Sequence, residues 1–133
     1  MKLTTKSEYS LLAMIYVARH GDGRYVRVDE ICAEYNLPKK YLEQLLSILK
    51  QNGCLRARRG ASGGYMLAKP AAKISVATII RMMDGALAPT ESVSRYFFSH
   101  TPLEQEKPVL GLFRDIRDYV ARKLEKTTIA DLV

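Results

Sequence analysis

Residues 38–67 read PKKYLEQLLSILKQNGCLRARRGASGGYML, and two patterns within them decide the fold. In the first half, Leu42, Leu45, Leu46 and Leu49 recur at helical spacing, while Lys39, Lys40, Glu43, Gln44 and Ser47 fall on the opposite face. Pro38 suits the first helical position, where its missing N–H has no partner to lose, and Gly53 suits a left-handed C-terminal cap. The spacing therefore predicts a helix over residues 38–52. In the second half, Leu55-Arg56-Ala57-Arg58 and Tyr65-Met66-Leu67 flank Arg59-Gly60-Ala61-Ser62-Gly63-Gly64. Two short alternating runs around a glycine-rich tip predict a β-hairpin.

Upstream, Tyr9, Leu12, Ile15, Tyr16 and Arg19 mark one stripe of a helix from Thr5 to Arg19, with Thr5 and Glu8 at capping-box spacing. Gly21-Asp22-Gly23 makes a turn. A short helix, Val28 to Tyr35, carries Val28, Ile31, Cys32 and Tyr35 on its apolar side and stops at Asn36-Leu37-Pro38. The order helix, short helix, tight turn, helix, hairpin predicts a mainly α chain built as a winged helix-turn-helix with a two-stranded β wing.

Downstream, Ser75 opens a helix over 76–84 that Gly85 ends, residues 86–107 read as irregular, and a last helix runs over 108–125. Its stripe of Val109, Phe113, Ile116, Val120 and Leu124, widened by Leu110, Leu112 and Tyr119, predicts a dimerisation helix, with packing on its own domain alone the alternative. The expected division is a DNA-binding domain over 1–85, a variable effector or partner segment over 86–107, and the dimerisation helix with its tail over 108–133.

Charge agrees with that division. The 133 residues carry a formal charge of +7 and a pI near 9.5, which points to a polyanionic partner. Residues 1–70 hold +6 of it and residues 71–133 hold +1, so the polyanion is expected on the first half. Hydrophobic residues at 47% and charged residues at 26% exclude a disordered chain. No apolar run approaches the roughly 20 residues that span a bilayer. Met1-Lys2-Leu3-Thr4-Thr5-Lys6 leads into Ser7, Glu8 and Tyr9, so no signal peptide is expected. The two cysteines, Cys32 and Cys54, make no disulfide framework, and the expected compartment is the reducing cytoplasm. No nucleotide-binding, metalloprotease or nucleophile-elbow motif occurs, so no enzyme is expected.

The residue types on the helix face have base-edge chemistry. Gln44 can pair with adenine through two hydrogen bonds, Glu43 can accept from the cytosine amino group, and Tyr41 and Ser47 can reach a phosphate or a base edge. In the hairpin, Arg59 is assigned to the minor groove, whose negative potential favours arginine, with Gly60 and Ser62 beside it at the tip. Lys2, Lys6, Lys39, Lys40, Arg56 and Arg58 are assigned to phosphates.

These motifs resemble the Rrf family of bacterial winged-helix transcriptional regulators. The resemblance rests on Met1 to Lys6 with Tyr9, on Tyr41-Leu42-Glu43-Gln44-Leu45-Leu46, and on Arg59-Gly60-Ala61-Ser62-Gly63-Gly64-Tyr65-Met66-Leu67. It continues through Ile79-Ile80-Arg81-Met82-Met83-Asp84-Gly85 to Thr127-Thr128-Ile129-Ala130-Asp131-Leu132. It implies a homodimeric regulator, usually a repressor, that binds a palindromic double-stranded DNA operator, with the helix near 109–124 crossing to the partner subunit. Many relatives hold an iron–sulfur cluster on three cysteines between the fourth helix and the dimer helix. Residues 86–107 contain no cysteine, and His100 alone is no substitute, so no cluster and no other cofactor or metal is expected.

Three features stay open on the sequence. Tyr96, Phe97 and Phe98 either fill the gap between the DNA head and the dimer helix or receive a small-molecule or protein effector. Cys32 and Cys54 read as buried small hydrophobes, with Cys54 the better candidate for a redox thiol because Arg56 and Arg58 are near in sequence. A regulatory module acting through 86–107 on a partner protein is the rival to the DNA-binding reading, and an RNA-binding winged domain is a weaker third.

Overall fold

The computed structural model describes residues 1–133. Five α-helices and one hairpin follow in the order α1 (Thr5–His20), α2 (Val28–Tyr35), α3 (Lys39–Gln51), β1 (Leu55–Arg58), β2 (Gly64–Leu67), α4 (Val76–Asp84) and α5 (Lys107–Lys126). The winged helix-turn-helix and the helical C-terminal half are as the sequence predicts. No helix is long and apolar enough to cross a membrane.

The main core gathers the apolar faces of the first elements. Ala13, Met14 and Val17 of α1 meet Ile31 of α2, then Leu42, Leu45, Leu46 and Leu49 of α3, and Leu55 of β1. Full burial of each such side chain contributes about 1.5–3 kcal/mol. Pro38 is the N-cap of α3 rather than its first helical residue, and Asn52 is the C-cap, followed by Gly53 at φ 79°. Asn36 caps α2 in the left-handed region at φ 54°, a conformation its short polar side chain tolerates.

Helix α1 departs from expectation. Its buried face is Ser7, Ser10, Ala13, Met14 and Val17, while Tyr9, Leu12, Ile15 and Tyr16 are half-buried and Arg19 is exposed. Small side chains let α3 and α4 approach the α1 backbone, which a stripe of large residues does not signal. The N-cap is Thr4, whose hydroxyl accepts from the Lys6 N–H at 3.2 Å, not Thr5.

The hairpin pairs Leu55 with Leu67, Arg56 with Met66, Ala57 with Tyr65 and Arg58 with Gly64. A third, single-residue strand supports it, for Val26 and Tyr65 exchange both backbone hydrogen bonds at 2.7 Å. A Cβ at Gly64 would collide with the Val26 carbonyl, and one at Gly63 with the Arg58 carbonyl. The paired glycines are thus required by close backbone approach, not only by the turn.

Residues 86–107 are less irregular than expected. Short 3-10 turns occupy Glu91–Val93 and Pro102–Gln105, and Leu87, Ala88, Ser92, Val93 and Ser94 are buried. The chain end returns to the head: Ile129 is fully buried in the main core, and its N–H donates to the Ile74 carbonyl at 2.9 Å.

The expected dimerisation stripe on α5 is split between two faces. Leu124 packs into a second cluster with Val76, Ala77, Ile80 and Leu87, so it belongs to its own subunit. Phe113 and Val120 are half-buried. The outward face is Val109, Leu112, Ile116 and Tyr119, at 38%, 55%, 40% and 68% exposure. Leu112 and Tyr119, expected only to widen the arc, are its most exposed members.

Candidate nucleic-acid interface

Helix α3 presents one polar face because its opposite face is locked into the core. Lys39, Lys40, Glu43, Gln44 and Ser47 are exposed along it. Tyr41 is only half-buried: its ring meets Tyr9 edge-on at 5.8 Å, and its hydroxyl lies 3.1 Å from that of Thr5. Lys39 is paired with Asp29 at 3.0 Å, and that hydrogen bond raises the lysine pKa. Both partners are half exposed, so a phosphate can compete for the ammonium.

The wing stands beside this face. Arg56 donates to the Met66 sulfur at 3.2 Å, and the Arg58 guanidinium lies 4.5 Å over the Tyr25 ring. Arg59 is exposed with no protein partner, and Gly60 and Ser62 are exposed at the tip. Between wing and α3 runs an open groove lined by Arg27, Asp29, Lys39, Glu43 and the wing glycines. Sequence reasoning missed Tyr25, Arg27 and Asp29. They flank or follow the single-residue bridge at Val26, which is too short to leave a periodic signal.

Lys2 and Lys6 extend the basic surface from the start of α1. Their arm is pinned by Asp84, which accepts from the Thr4 N–H at 2.9 Å, the Thr4 hydroxyl at 2.6 Å and the Ser7 hydroxyl at 2.5 Å. Burial pushes the Asp84 carboxyl up, but these hydrogen bonds outweigh it and leave the group below its ordinary value. At the start of α2, Glu30 receives a fork from Arg24 at 2.9 and 3.0 Å and the Arg27 N–H at 3.0 Å. The Arg24 and Arg27 bonds hold its carboxyl down at about 2.

Cys54 does not meet the requirement for a thiol switch. It is fully buried, and burial pushes its thiol up, away from the reactive thiolate. Its side chain points into the core, so proximity of Arg56 and Arg58 in sequence has no electrostatic consequence. The Cys32 thiol is likewise raised, first by burial and then by Asp29.

Leu87 packs between head and α5 with Leu124, and the aromatic triplet sits at the edge of that gap, where Tyr96 and Phe97 line a small cavity with Arg81, Arg117 and Ala121. Tyr96, Phe97 and Phe98 remain 68%, 45% and 52% exposed, with the Arg81 guanidinium 4.8 Å over Tyr96. The enclosed cavity shared by Tyr96 and Phe97 measures ≈ 10 Å³, room for one water, while Phe97 also lines an open groove of ≈ 660 Å³ with Met1, Asp84, Glu91 and Thr101.

The donor set does not present the three thiolates that the sequence resemblance raises for a cluster, since the chain carries two cysteines. Cluster iron takes thiolates, with histidine only occasionally replacing some of them. Cys54 is sealed in the core, Cys32 lies on α2, and the His100 Nδ1 faces Glu104 at 3.0 Å. No three His, Cys, Asp or Glu side chains converge within metal-binding reach.

Comparison with known proteins agrees with this geometry. The Rrf2 family model (Iron-dependent Transcriptional regulator) matches residues 3–133. The chain is 38% identical over 134 residues to the HTH-type transcriptional regulator CymR of Bacillus subtilis, covering 99% of this chain and 89% of that protein. The structure of CymR, the global cysteine regulator of B. subtilis, superposes with a TM-score of 0.79 at 35% identity, covering 99% of this chain and 95% of that one. The structure of T. potens IscR gives a TM-score of 0.76 at 28% identity, covering 99% and 85%.

Proposed function

The chain belongs to the Rrf2 family of DNA-binding transcriptional regulators, which are not enzymes, and from that premise we propose that it is a homodimeric repressor of a palindromic operator. The observation that carries the reading is the pairing of the free polar face of α3 with the unpartnered Arg59 on the wing beside it. Helix α3 enters the major groove, where Gln44 and Glu43 read base edges, and the wing enters the adjacent minor groove. Tyr41 and Ser47 join Gln44 and Glu43 in the major groove, on a base edge or a phosphate, and the basic residues Lys2, Lys6, Lys39, Lys40, Arg56 and Arg58 set the register on phosphates.

The apolar outward face of α5 supports the dimer. Two-fold pairing through it presents two heads about 34 Å apart, one DNA turn, and a two-fold protein reads a palindrome. Repression then follows from occupancy of the site. The poor fit of the cysteines supports a regulator that works without an iron–sulfur cluster. The exposed Tyr96, Phe97 and Phe98 favour control by a protein partner docking on residues 86–107, as a second input to the same regulator.

The test is selection from random duplex DNA, with a reporter carrying the selected site. Enrichment of one palindrome, lowered reporter output, and Gln44→Ala relaxing preference at one base pair by about 1–3 kcal/mol are expected. Wild-type preference at every position in Gln44→Ala removes α3 as the reading element.

A further inference from the structure

We infer that Arg27 is a positioning residue for the wing: it holds the wing tip at a fixed distance from α3 and thereby sets where Arg59 meets DNA. The inference rests on the DNA-reading wing proposed above.

Arg27 starts from a fixed backbone. Its N–H donates to Glu30 at 3.0 Å, and the preceding residue, Val26, is tied to Tyr65 by two hydrogen bonds of 2.7 Å. From that anchor the Arg27 guanidinium donates through Nη1 to the Ala61 carbonyl at 2.7 Å. Ala61 lies between Gly60 at φ 101° and Gly63, whose N–H closes the tip turn on the Gly60 carbonyl at 3.0 Å. The tip has no buried apolar anchor of its own, since Arg59, Gly60, Ala61 and Ser62 are all exposed. The Arg27 bond is therefore its side-chain tether to the body. Two residues earlier, Tyr25 carries the Arg58 guanidinium on its ring at 4.5 Å, so one strand braces both the stem and the tip. Arg59, one residue beyond the stem, inherits its position from these two contacts. An untethered tip samples many orientations, and the ordering cost then falls on DNA binding.

The rival role for Arg27 is a direct phosphate contact, because it also lines the groove between wing and α3. Two measurements on the full-length protein separate them. In the free protein, limited trypsin digestion is followed by mass spectrometry at the Arg58 and Arg59 sites. A tether predicts cleavage there several-fold faster in Arg27→Ala than in wild type; an equal rate overturns the tether whether or not DNA is bound. With the selected duplex, affinity is measured against salt for Arg27→Ala, Arg59→Ala and the double variant. Positioning predicts a loss of about tenfold in each single variant, little further loss in the double variant, and an unchanged salt slope. Additive losses, with the slope reduced by about 1 in Arg27→Ala, assign Arg27 to a phosphate and overturn positioning. Failure of wild type to select any duplex overturns the DNA reading instead, and the trypsin result still decides the tether.

Discussion

The Tyr41 hydroxyl lies 3.1 Å from the Thr5 hydroxyl, and its ring stands edge-on to Tyr9 at 5.8 Å, so a residue of the reading helix is also a brace to α1. The brace joins α3 to the helix whose N-cap, Thr4, and first-turn Ser7 are held by Asp84 and whose first turn also carries Lys6. Tyr41→Phe keeps the ring contact and loses one exposed hydrogen bond, so its folding stability is expected to fall by no more than about 0.5–1 kcal/mol. Tyr41→Ala also loses the aromatic pair and is expected to cost about 2 kcal/mol or more. Urea denaturation of both variants checks this. Equal stability in Tyr41→Ala and Tyr41→Phe assigns the ring no structural role.

Gly64 faces the Val26 carbonyl at φ 144°, where a side chain has neither backbone freedom nor space. Gly64→Ala must push the single strand at Val26 away from the wing. We expect a stability loss of about 1–3 kcal/mol and weaker operator binding. Gly23, also at positive φ, has open space around its Cβ position, so Gly23→Ala bears backbone strain alone. Thermal unfolding of the pair should rank Gly64→Ala well below Gly23→Ala; the reverse order would falsify the close-approach account.

Glu30 gives the fold an acid-sensitive point. Its folded carboxyl titrates at about 2 against an ordinary value of 4.5, because Arg24 and the Arg27 N–H favour the charged form. A depressed folded pKa stabilises the native state at pH values above the unfolded pKa. That contribution fades as pH falls from 4.5 towards 2 and is gone below both values. Glu30→Gln should therefore lower stability at neutral pH and flatten the pH dependence across that window. Denaturation midpoints measured from pH 7 to pH 2 test it, and parallel profiles for wild type and Glu30→Gln would count against the assignment.

The head was legible in the sequence because its period-3.6 and period-2 patterns use large residues. Leu42, Leu45, Leu46 and Leu49 are all fully buried or nearly so, and Leu55 pairs with Leu67 in the hairpin. The extent of helix α1 was legible, but its contact face was not, because that face is made largely by Ser7, Ser10 and Ala13, which carry little hydrophobic signal. The wing's support was invisible because Val26 forms a one-residue bridge, too short for any periodicity, and because Arg27 and Ala61 are 34 residues apart. Cys54 is the buried small hydrophobe that the sequence suggested, but its ranking as the better redox thiol fails, because proximity to Arg56 and Arg58 along the chain says nothing about direction. In α5, periodicity marked apolar positions without saying which face meets α4.

That last distinction yields the strongest contrast available in α5. Val109, Leu112, Ile116 and Tyr119 recur at spacings of three and four and face outward, while Leu124 packs on Val76, Ile80 and Leu87. A charge on the outward face does not disturb the subunit's own core. Leu112→Glu combined with Ile116→Glu is expected to leave cooperative unfolding intact and to convert the protein to a monomer at micromolar concentration in sedimentation equilibrium. Losing the second head should weaken operator binding by about 100-fold or more, because the linked half-site no longer contributes its effective concentration. Leu124→Glu should act differently. It places an unpaired carboxylate against apolar side chains and is expected to destabilise the fold by about 3 kcal/mol or more. A dimer that persists in the double variant means that α5 pairs through another face. Unfolding of the double variant to the same extent as Leu124→Glu means that the outward residues are needed within the subunit, and the two-headed operator model then loses its structural basis.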